Sequence, residues 1–139
     1  MEDAQRVASM VQTLFEAFNR RDVEAVLVLC HPELEFMPVT AQFANQNRPY
    51  VGHTGMRRYF DDVERAWDEL QITASEFHAE KDSDVLVVGR VVARSKERGL
   101  RDMPAGWVWR QRDGLFSYGH VYEDPQDAAR AAGVELPSG

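Results

Sequence analysis

Residues 84–123, DVLVVGRVVARSKERGLRDMPAGWVWRQRDGLFSYGHVYE, decide the fold of this 139-residue chain. Apolar side chains recur there with a period of two, which is the periodicity of a β-strand. Together with the preceding residues, this segment predicts four strands at 70–78, 84–95, 103–111 and 115–123. The connections between them, EKDS, KERG and RDG, are short and rich in turn-forming residues. Consecutive strands are therefore expected to pair as antiparallel hairpins.

The sequence before these strands has the period of helices. One apolar stripe predicts a first helix of about four turns, and it comprises Val7, Val11, Leu14, Phe15 and Phe18. Asp22 can cap a second, short helix that runs to Leu29, and residues 33–39 read as a short strand. Residues 40–50 show no clear period and are expected to form a loop.

A third helix is expected after Gly52, with Thr54 as a possible cap. Its apolar face consists of Met56, Tyr59, Phe60, Val63 and Trp67. After the strands, Asp124 followed by Pro125 predicts the N-cap and first turn of a last helix, which Gly133 would end.

Helices followed by a strand meander predict an α+β fold. The helices must cover one face of a curved antiparallel sheet to bury their apolar stripes. A strongly bent sheet closed by a long helix leaves a conical hollow, where small-molecule pockets tend to occur. We expect one domain spanning residues 1–139, because no repeat, linker or low-complexity segment interrupts the chain.

Composition and charge exclude several classes of partner. The net charge of −7 argues against nucleic acid, which requires a concentrated basic face. No apolar stretch reaches 18 residues and the N-terminus lacks a secretion signal, so no membrane partner is expected. The single cysteine, Cys30, excludes an internal disulfide and is interpreted as a small buried residue. The expected setting is cytoplasmic.

Four stretches carry a resemblance to a known family. They are FEAFNRRDVEAVLVLCHPELEF (15–36), YVGHTGMRRYF (50–60), VLVVGRVVAR (85–94) and GWVWRQRDGLFSYGHVYEDPQDAARAAGV (106–134). The chain resembles the SnoaL-like, polyketide-cyclase-like proteins of the nuclear-transport-factor-2-like superfamily. The resemblance implies a cone-shaped α+β barrel with three helices in the N-terminal half and a short C-terminal helix. It also implies a homodimer, a hydrophobic pocket for a small apolar or aromatic molecule, and no cofactor.

Departures from the best-known enzymes of that superfamily exclude their mechanisms. Ketosteroid-isomerase-like members carry a tyrosine and two aspartates at positions that align here with Leu14, Met37 and Gly106. The proton-shuttling base and both oxyanion donors are therefore expected to be missing. An epoxide-hydrolase arrangement would also lack an acid at Gly106.

Arg90 and Glu35 are candidate catalytic residues. Apolar residues flank Arg90 on both faces of its strand, so its guanidinium is predicted to be buried and to need a partner. It could act as an anion or carbonyl clamp, or form a salt bridge with an internal carboxylate such as Glu35. Glu35 could be a general base if it faces inward, and a surface acid otherwise.

His120 and Tyr122 share one strand face. A histidine is the natural acid–base group at neutral pH, and Tyr122 could donate a hydrogen bond to a ligand. The alternatives are an outward polar histidine and a tyrosine that packs in the core. Further ligand-binding candidates are the aromatic residues Trp107, Trp109, Tyr59, Phe60 and Phe36, together with His53. The histidines lack the spacing of metal ligands, so no metal site is expected.

Three functional hypotheses remain open at this point. In the first, a cofactor-free cyclase, isomerase or hydrolase acts on a cyclic or polyketide-like substrate. His120 would move the proton there, while Arg90 and Tyr122 would stabilise the oxyanion. In the second, the same pocket binds or carries a small molecule without turnover. In the third, the domain is a dimeric interaction module, which a cavity filled by aromatic side chains would favour.

Overall fold

The computed structural model describes residues 2–38, 48–79 and 84–136. Their helices and strands, in chain order, are α1 (Glu2–Asn19), α2 (Val23–Val28), β1 (Cys30–Met37), β2 (Tyr50–Val51), α3 (Gly52–Ala66), β3 (Glu69–Ala79), β4 (Val85–Ser95), β5 (Gly99–Arg112), β6 (Leu115–Tyr122) and α4 (Pro125–Ala132). The predicted order of elements is confirmed except for β2, a two-residue strand that the sequence analysis did not predict. The expected loop at residues 40–50 lies mostly outside the described residues, as does the EKDS connection.

The strands form one curved, six-stranded sheet in the order β2-β1-β6-β5-β4-β3. Strands β3 to β6 pair as the predicted antiparallel meander. The sheet is mixed rather than wholly antiparallel, because β1 lies parallel to β6. As far as the described residues show, it does not close into a barrel. The α+β fold class, with three helices before the meander and one after it, is confirmed.

The turn between β5 and β6 shows how local chemistry sets the register. Asp113 and Gly114 have backbone φ angles of 56° and 79°. Two successive residues with positive φ form the tight turn whose twist matches that of paired strands. This turn brings Arg112 opposite Leu115.

Helix ends follow the predicted capping residues in three of four cases. Asp22 accepts a hydrogen bond from the Ala25 amide, and Asp124 accepts one from the Gln126 amide. Gly133 ends α4 in the left-handed conformation, with φ of 73°. The prediction for Thr54 is wrong, because α3 begins at Gly52 and places Thr54 inside its first turn.

The two faces of the sheet have different coverings. The concave face carries Val87, Val91 and Trp107, which share one core with α1 and α3. The outer face carries Leu86 and Val108, against which α4 packs a set of small residues: Ala128, Ala129 and Ala132. Helix α4 therefore covers only the part of the outer face nearest the start of β4.

Gly106 allows this close approach of α4. A Cβ atom at Gly106 would stand 2.6 Å from the Cβ of Ala128.

No helix among the described residues is long and apolar enough to cross a membrane.

Candidate functional site

A cavity of about 810 Å³ lies between the concave face of the sheet and helices α1 and α3. This volume is within the range of small-molecule pockets, which is about 300–1,000 Å³. The sheet contributes side chains such as Val91, Ala93, Met103 and Val121, and the helices contribute others such as Val63. The alternation of β4 and β5 places these residues on one face, so the cavity wall is mainly apolar.

Aromatic side chains form much of the wall, and they include five of the residues that the sequence suggested: Phe36, Tyr59, Phe60, Trp107 and Trp109. The ring of Phe36 stacks on that of Trp109, with centroids 5.8 Å apart and planes 7° apart. Phe36 also meets the ring of Tyr59 edge-on, at 5.0 Å. These mutual contacts hold the rings in fixed positions, so the shape of the cavity is largely set by packing.

Two polar atoms of residues that line the cavity are buried without a hydrogen-bond partner among the described residues, and they are the indole nitrogens of Trp67 and Trp109. Burial raises the pKa of Tyr59 above its ordinary value, so the phenol remains protonated at neutral pH. The two indole nitrogens have almost no accessible surface, so the rings of these tryptophans contribute mainly apolar atoms to the wall.

Charged side chains gather at the rim of the cavity, and they are Asp62, Arg65, Glu97, Arg98, Arg101 and Glu123. Asp62 accepts a 2.6 Å hydrogen bond from the Tyr50 hydroxyl and a 2.9 Å bond from Arg65. Its charge is therefore largely satisfied by its neighbours.

Arg98 is also fixed at the rim. It donates a 2.9 Å hydrogen bond to the Ala66 carbonyl, and its guanidinium lies over the Trp67 ring at 5.7 Å.

Arg90 is not in the cavity, and the prediction that it is buried is wrong. Its side chain is 53% exposed on the outer face and pairs with Asp102, 2.8 Å away. Leu86 and Val88 precede it on the same face and are covered by α4, but the helix does not extend as far as Arg90. Both faces of β4 are therefore apolar for different reasons: helices α1 and α3 cover the concave face, and α4 covers the first part of the outer face.

His120 and Tyr122 also lie on the outer face, and the prediction that Tyr122 points inward is wrong. His120 is paired across the sheet with Val108, in the patch that α4 covers, whereas Val121 lines the cavity. The His120 ring stacks on Tyr122 at 4.2 Å, and its Nδ1 lies 3.2 Å from the Tyr118 hydroxyl. Burial lowers the pKa of His120, so its neutral form is favoured.

Glu35 and His53 are outside the cavity as well. Glu35 is exposed on β1 and lies opposite Tyr118 in the register with β6. His53 is in the first turn of α3, where its Nε2 lies 2.9 Å from the Cys30 carbonyl oxygen. The structure therefore does not bring Arg90, Glu35, His120 and Tyr122 together around one hollow. A joint acid–base mechanism in the cavity has no geometric basis.

The structure shows where two of the positions aligned with isomerase residues, Leu14 and Gly106, lie relative to the cavity. Leu14 lines the cavity, where an isomerase-like protein has a tyrosine. Gly106 lies under α4 on the outer face, so a side chain at that position would not reach the cavity. Its neighbours on the concave face, Ala105 and Trp107, are not acids either, and the missing carboxylate stands as a feature of this wall.

Asp62 and the unpaired state of the indoles were not foreseen from the sequence. Asp62 is three residues after Tyr59, at the edge of the apolar stripe of α3, and this spacing was an available signal. Cys30 is buried as expected, and burial raises its pKa to about 12, which disfavours the nucleophilic thiolate. The described residues contain no cluster of three or more metal-ligating side chains.

A family model described as a SnoaL-like domain matches residues 11–118, which is most of the chain. The chain belongs to the SnoaL-like domain family. A comparison of this SnoaL-like domain with curated proteins gave no significant match.

Solved structures share the fold of this SnoaL-like domain. TerC, co-crystallized with polyporic acid, is 19% identical to this chain and superposes with a TM-score of 0.75. The match covers 90% of this chain and 96% of TerC. A nuclear-transport-factor-2-like protein of unknown function from Burkholderia pseudomallei is 20% identical with a TM-score of 0.76, covering 90% and 95%. Rv0760c from Mycobacterium tuberculosis, in complex with estradiol-17β-hemisuccinate, is 15% identical with a TM-score of 0.71, covering 86% and 94%. At these identities the likeness establishes a common fold.

Proposed function

We propose that this SnoaL-like domain binds a small, largely apolar ring compound in the cavity between its sheet and helices. The observation that carries the proposal is an unfilled cavity of about 810 Å³ with an ordered aromatic wall. Apolar walls with a few polar groups are the usual composition of small-molecule sites.

The size of the cavity favours this function over an interaction module. An interaction module would have no need for a hollow, and its core would be expected to close around its aromatic side chains. Here the rings of Phe36, Tyr59 and Trp109 pack against one another and still leave the space between them and β4 open.

The chemistry of the wall favours binding over acid–base catalysis. The titratable side chains that line the cavity are Tyr59 and the charged groups of the rim. Tyr59 is held neutral by burial, and Asp62 is engaged with Tyr50 and Arg65. His120, the acid–base group expected from the sequence, is on the other side of the sheet. We therefore assign the cavity to non-covalent binding.

Two similar folds contain ring compounds, which agrees with the proposal. Polyporic acid was co-crystallized with TerC, and an estradiol ester was found in complex with Rv0760c. We extend from them only the class of ligand, a compact ring system.

A matched pair of variants tests the proposal. Val91 and Val92 are adjacent on β4, but Val91 lines the cavity whereas Val92 is 38% exposed on the outer face. The probe is N-phenyl-1-naphthylamine, a neutral three-ring fluorophore whose emission rises in apolar surroundings. We expect saturable binding to the wild type, with affinity about tenfold weaker in Val91→Phe because the new ring occupies the cavity. Val92→Phe should bind like the wild type.

Two outcomes would overturn the proposed function. One is the absence of saturable probe binding by the folded wild-type protein. The other is an equal loss of affinity in Val91→Phe and Val92→Phe, which would place the probe elsewhere on the domain. Thermal unfolding of each variant confirms that the comparison is made between folded proteins.

A further inference from the structure

The mouth of the cavity lies between the end of α3 and the turn that joins β4 to β5. Most of the exposed side chains that line the cavity belong to these two segments or adjoin them, and they are Arg65, Glu97, Arg98 and Arg101. The rest of the wall is mainly buried and apolar, as at Leu14 and Val63. Within the described part of the chain, a ligand therefore reaches the cavity from water at this end.

Arg98 and Trp67 join the two sides of this mouth. Arg98, in the turn, donates a 2.9 Å hydrogen bond to the Ala66 carbonyl at the end of α3. Its guanidinium also lies 5.7 Å from the centre of the Trp67 ring. Trp67 directly follows α3 and lines the cavity. The contact between the two segments therefore includes a ring of the cavity wall.

The position of the Trp67 ring is opposed by its own N–H group. The residue is only half-buried, but its indole nitrogen has almost no accessible surface and no partner among the described residues. An indole N–H only donates, and a buried donor without a partner is unfavourable. If the ring swung outward, water would accept this hydrogen bond. The N–H group therefore favours an outward position of the ring, against the packing that holds it in place.

The contacts of Arg98 that oppose such a swing are weak. Arg98 is exposed, and a cation–π contact at an exposed site contributes little. The backbone of the turn is held separately. The Arg98 amide donates to Ser95 Oγ at 2.8 Å, and the Lys96 amide donates to the Asp68 carboxylate at 3.1 Å. The side chains of Arg98 and Trp67 can thus separate while the turn stays in place.

We propose that the Trp67 ring is a gate at the mouth of the cavity and that Arg98 holds this gate closed. The inference rests on the proposed function and adds the route by which its ligand enters and leaves. Arg98 acts through Trp67 and is a positioning residue. Because the contact closes the gate over an empty and an occupied cavity alike, its loss speeds entry and exit equally. The affinity, which is set by the ratio of the two rate constants, then stays nearly the same.

The test measures rate constants by stopped-flow fluorescence of N-phenyl-1-naphthylamine. In Arg98→Ala we expect the association and dissociation rate constants to rise together by about three- to tenfold, which is the worth of an exposed cation–π contact and one hydrogen bond. The dissociation constant should change by less than about twofold. Arg94→Ala is the matched control, because it removes the same charge from β4, where Arg94 pairs with Glu69 at 2.7 Å. Both rate constants should stay near the wild-type values in this control.

A second measurement follows the gate in the absence of any ligand. The chain has three tryptophans, so an isotope-labelled sample gives three indole N–H resonances, and Trp67→Phe identifies the one from Trp67. Exchange of a buried proton with water reports how often its group opens. We expect exchange at Trp67 to be about three- to tenfold faster in Arg98→Ala than in the wild type. Trp109, which is 3% exposed and distant from Arg98 in the sequence, should exchange at the same rate in both proteins.

The results separate this inference from the proposed function. Unchanged rate constants in Arg98→Ala would overturn the gate while the cavity remained a binding site. Faster dissociation with unchanged association would make Arg98 a direct ligand contact and would also overturn it. Equal acceleration in Arg94→Ala would assign the effect to charge alone. Failure of the wild type to bind the fluorophore overturns the proposed function and the inference together.

Discussion

Trp109 and Gly119 are directly opposite each other on β5 and β6, and the six-membered ring of the tryptophan lies over the glycine. A Cβ atom built on Gly119 would stand 2.3 Å from Cζ3 of that ring. The glycine is therefore required by the position of the indole, and the indole in turn forms part of the cavity wall.

Gly119→Ala is expected to destabilise the domain by about 1–3 kcal/mol, because the ring or the strand must move to admit the methyl group. Urea unfolding measures the change. Ser117→Ala, two residues earlier on the same strand, is the control and should change stability by less than about 0.5 kcal/mol. A Gly119→Ala protein as stable as the wild type would show that the ring is free to shift.

His120 should make the stability of the domain depend on pH. Its pKa is lowered by burial, whereas an unfolded histidine has a pKa of about 6.5. The folded state resists protonation, so its contribution is complete above pH 6.5 and is lost as the pH falls towards the folded pKa. The free energy of unfolding, measured between pH 7.5 and 5.5, should depend less on pH in His120→Phe than in the wild type. Identical slopes for the variant and the wild type would contradict this expectation.

Alkaline titration should reveal protected tyrosines. Burial is the main cause that raises the pKa of Tyr50, Tyr59 and Tyr122, and Asp62 adds to it at Tyr50. We expect tyrosinate absorbance at pH 10 to 10.5 to be lower in the folded protein than in denaturant. Since these folded pKa values are raised, the associated stability is complete below about pH 10 and is lost as the pH rises. Tyr50→Phe should leave the early part of the titration unchanged.

Asp124→Ala is expected to cost about 1 kcal/mol, because the Gln126 amide loses its cap. The loss should appear in urea unfolding as a lower midpoint with an unchanged slope. Asp127→Ala removes a carboxylate from the same helix, where it forms an exposed pair with Arg130, and should cost less than about 0.5 kcal/mol. Equal effects of the two substitutions would argue against a specific role of the cap.

The elements that were predicted correctly depend on local chemistry. Asp22 and Asp124 cap helices because their side chains reach amides two or three residues ahead, and Gly133 adopts a left-handed conformation at a helix end. The antiparallel meander follows from alternation and short turns. The parallel partner of β1 has no local signal, because the residues that it meets on β6 are distant in the sequence.

The site was predicted less well because alternation does not reveal which face of a strand is concave. On β4, both faces are apolar at first, and only the position of α4 distinguishes the covered residues from exposed Arg90. On β6, the same ambiguity placed His120 and Tyr122 in the hollow. The aromatic residues of β5 and α3 were easier to place in the cavity wall, since large rings usually lie on the face of a strand that packs against helices. The homodimer and the cytoplasmic setting stay predictions, and sedimentation velocity of the purified chain would test the first.

The parallel contact of β1 with β6 has a consequence for how the chain acquires its structure. The Phe116 amide donates to the Leu29 carbonyl, and Glu35 is opposite Tyr118, so most of the chain separates the two partners. Closing so long a loop is slow compared with forming hairpins. During synthesis, the edge of β1 that pairs with β6 must wait until β6 has left the ribosome. The period before that moment is when the nascent chain is most open to aggregation or to capture by chaperones.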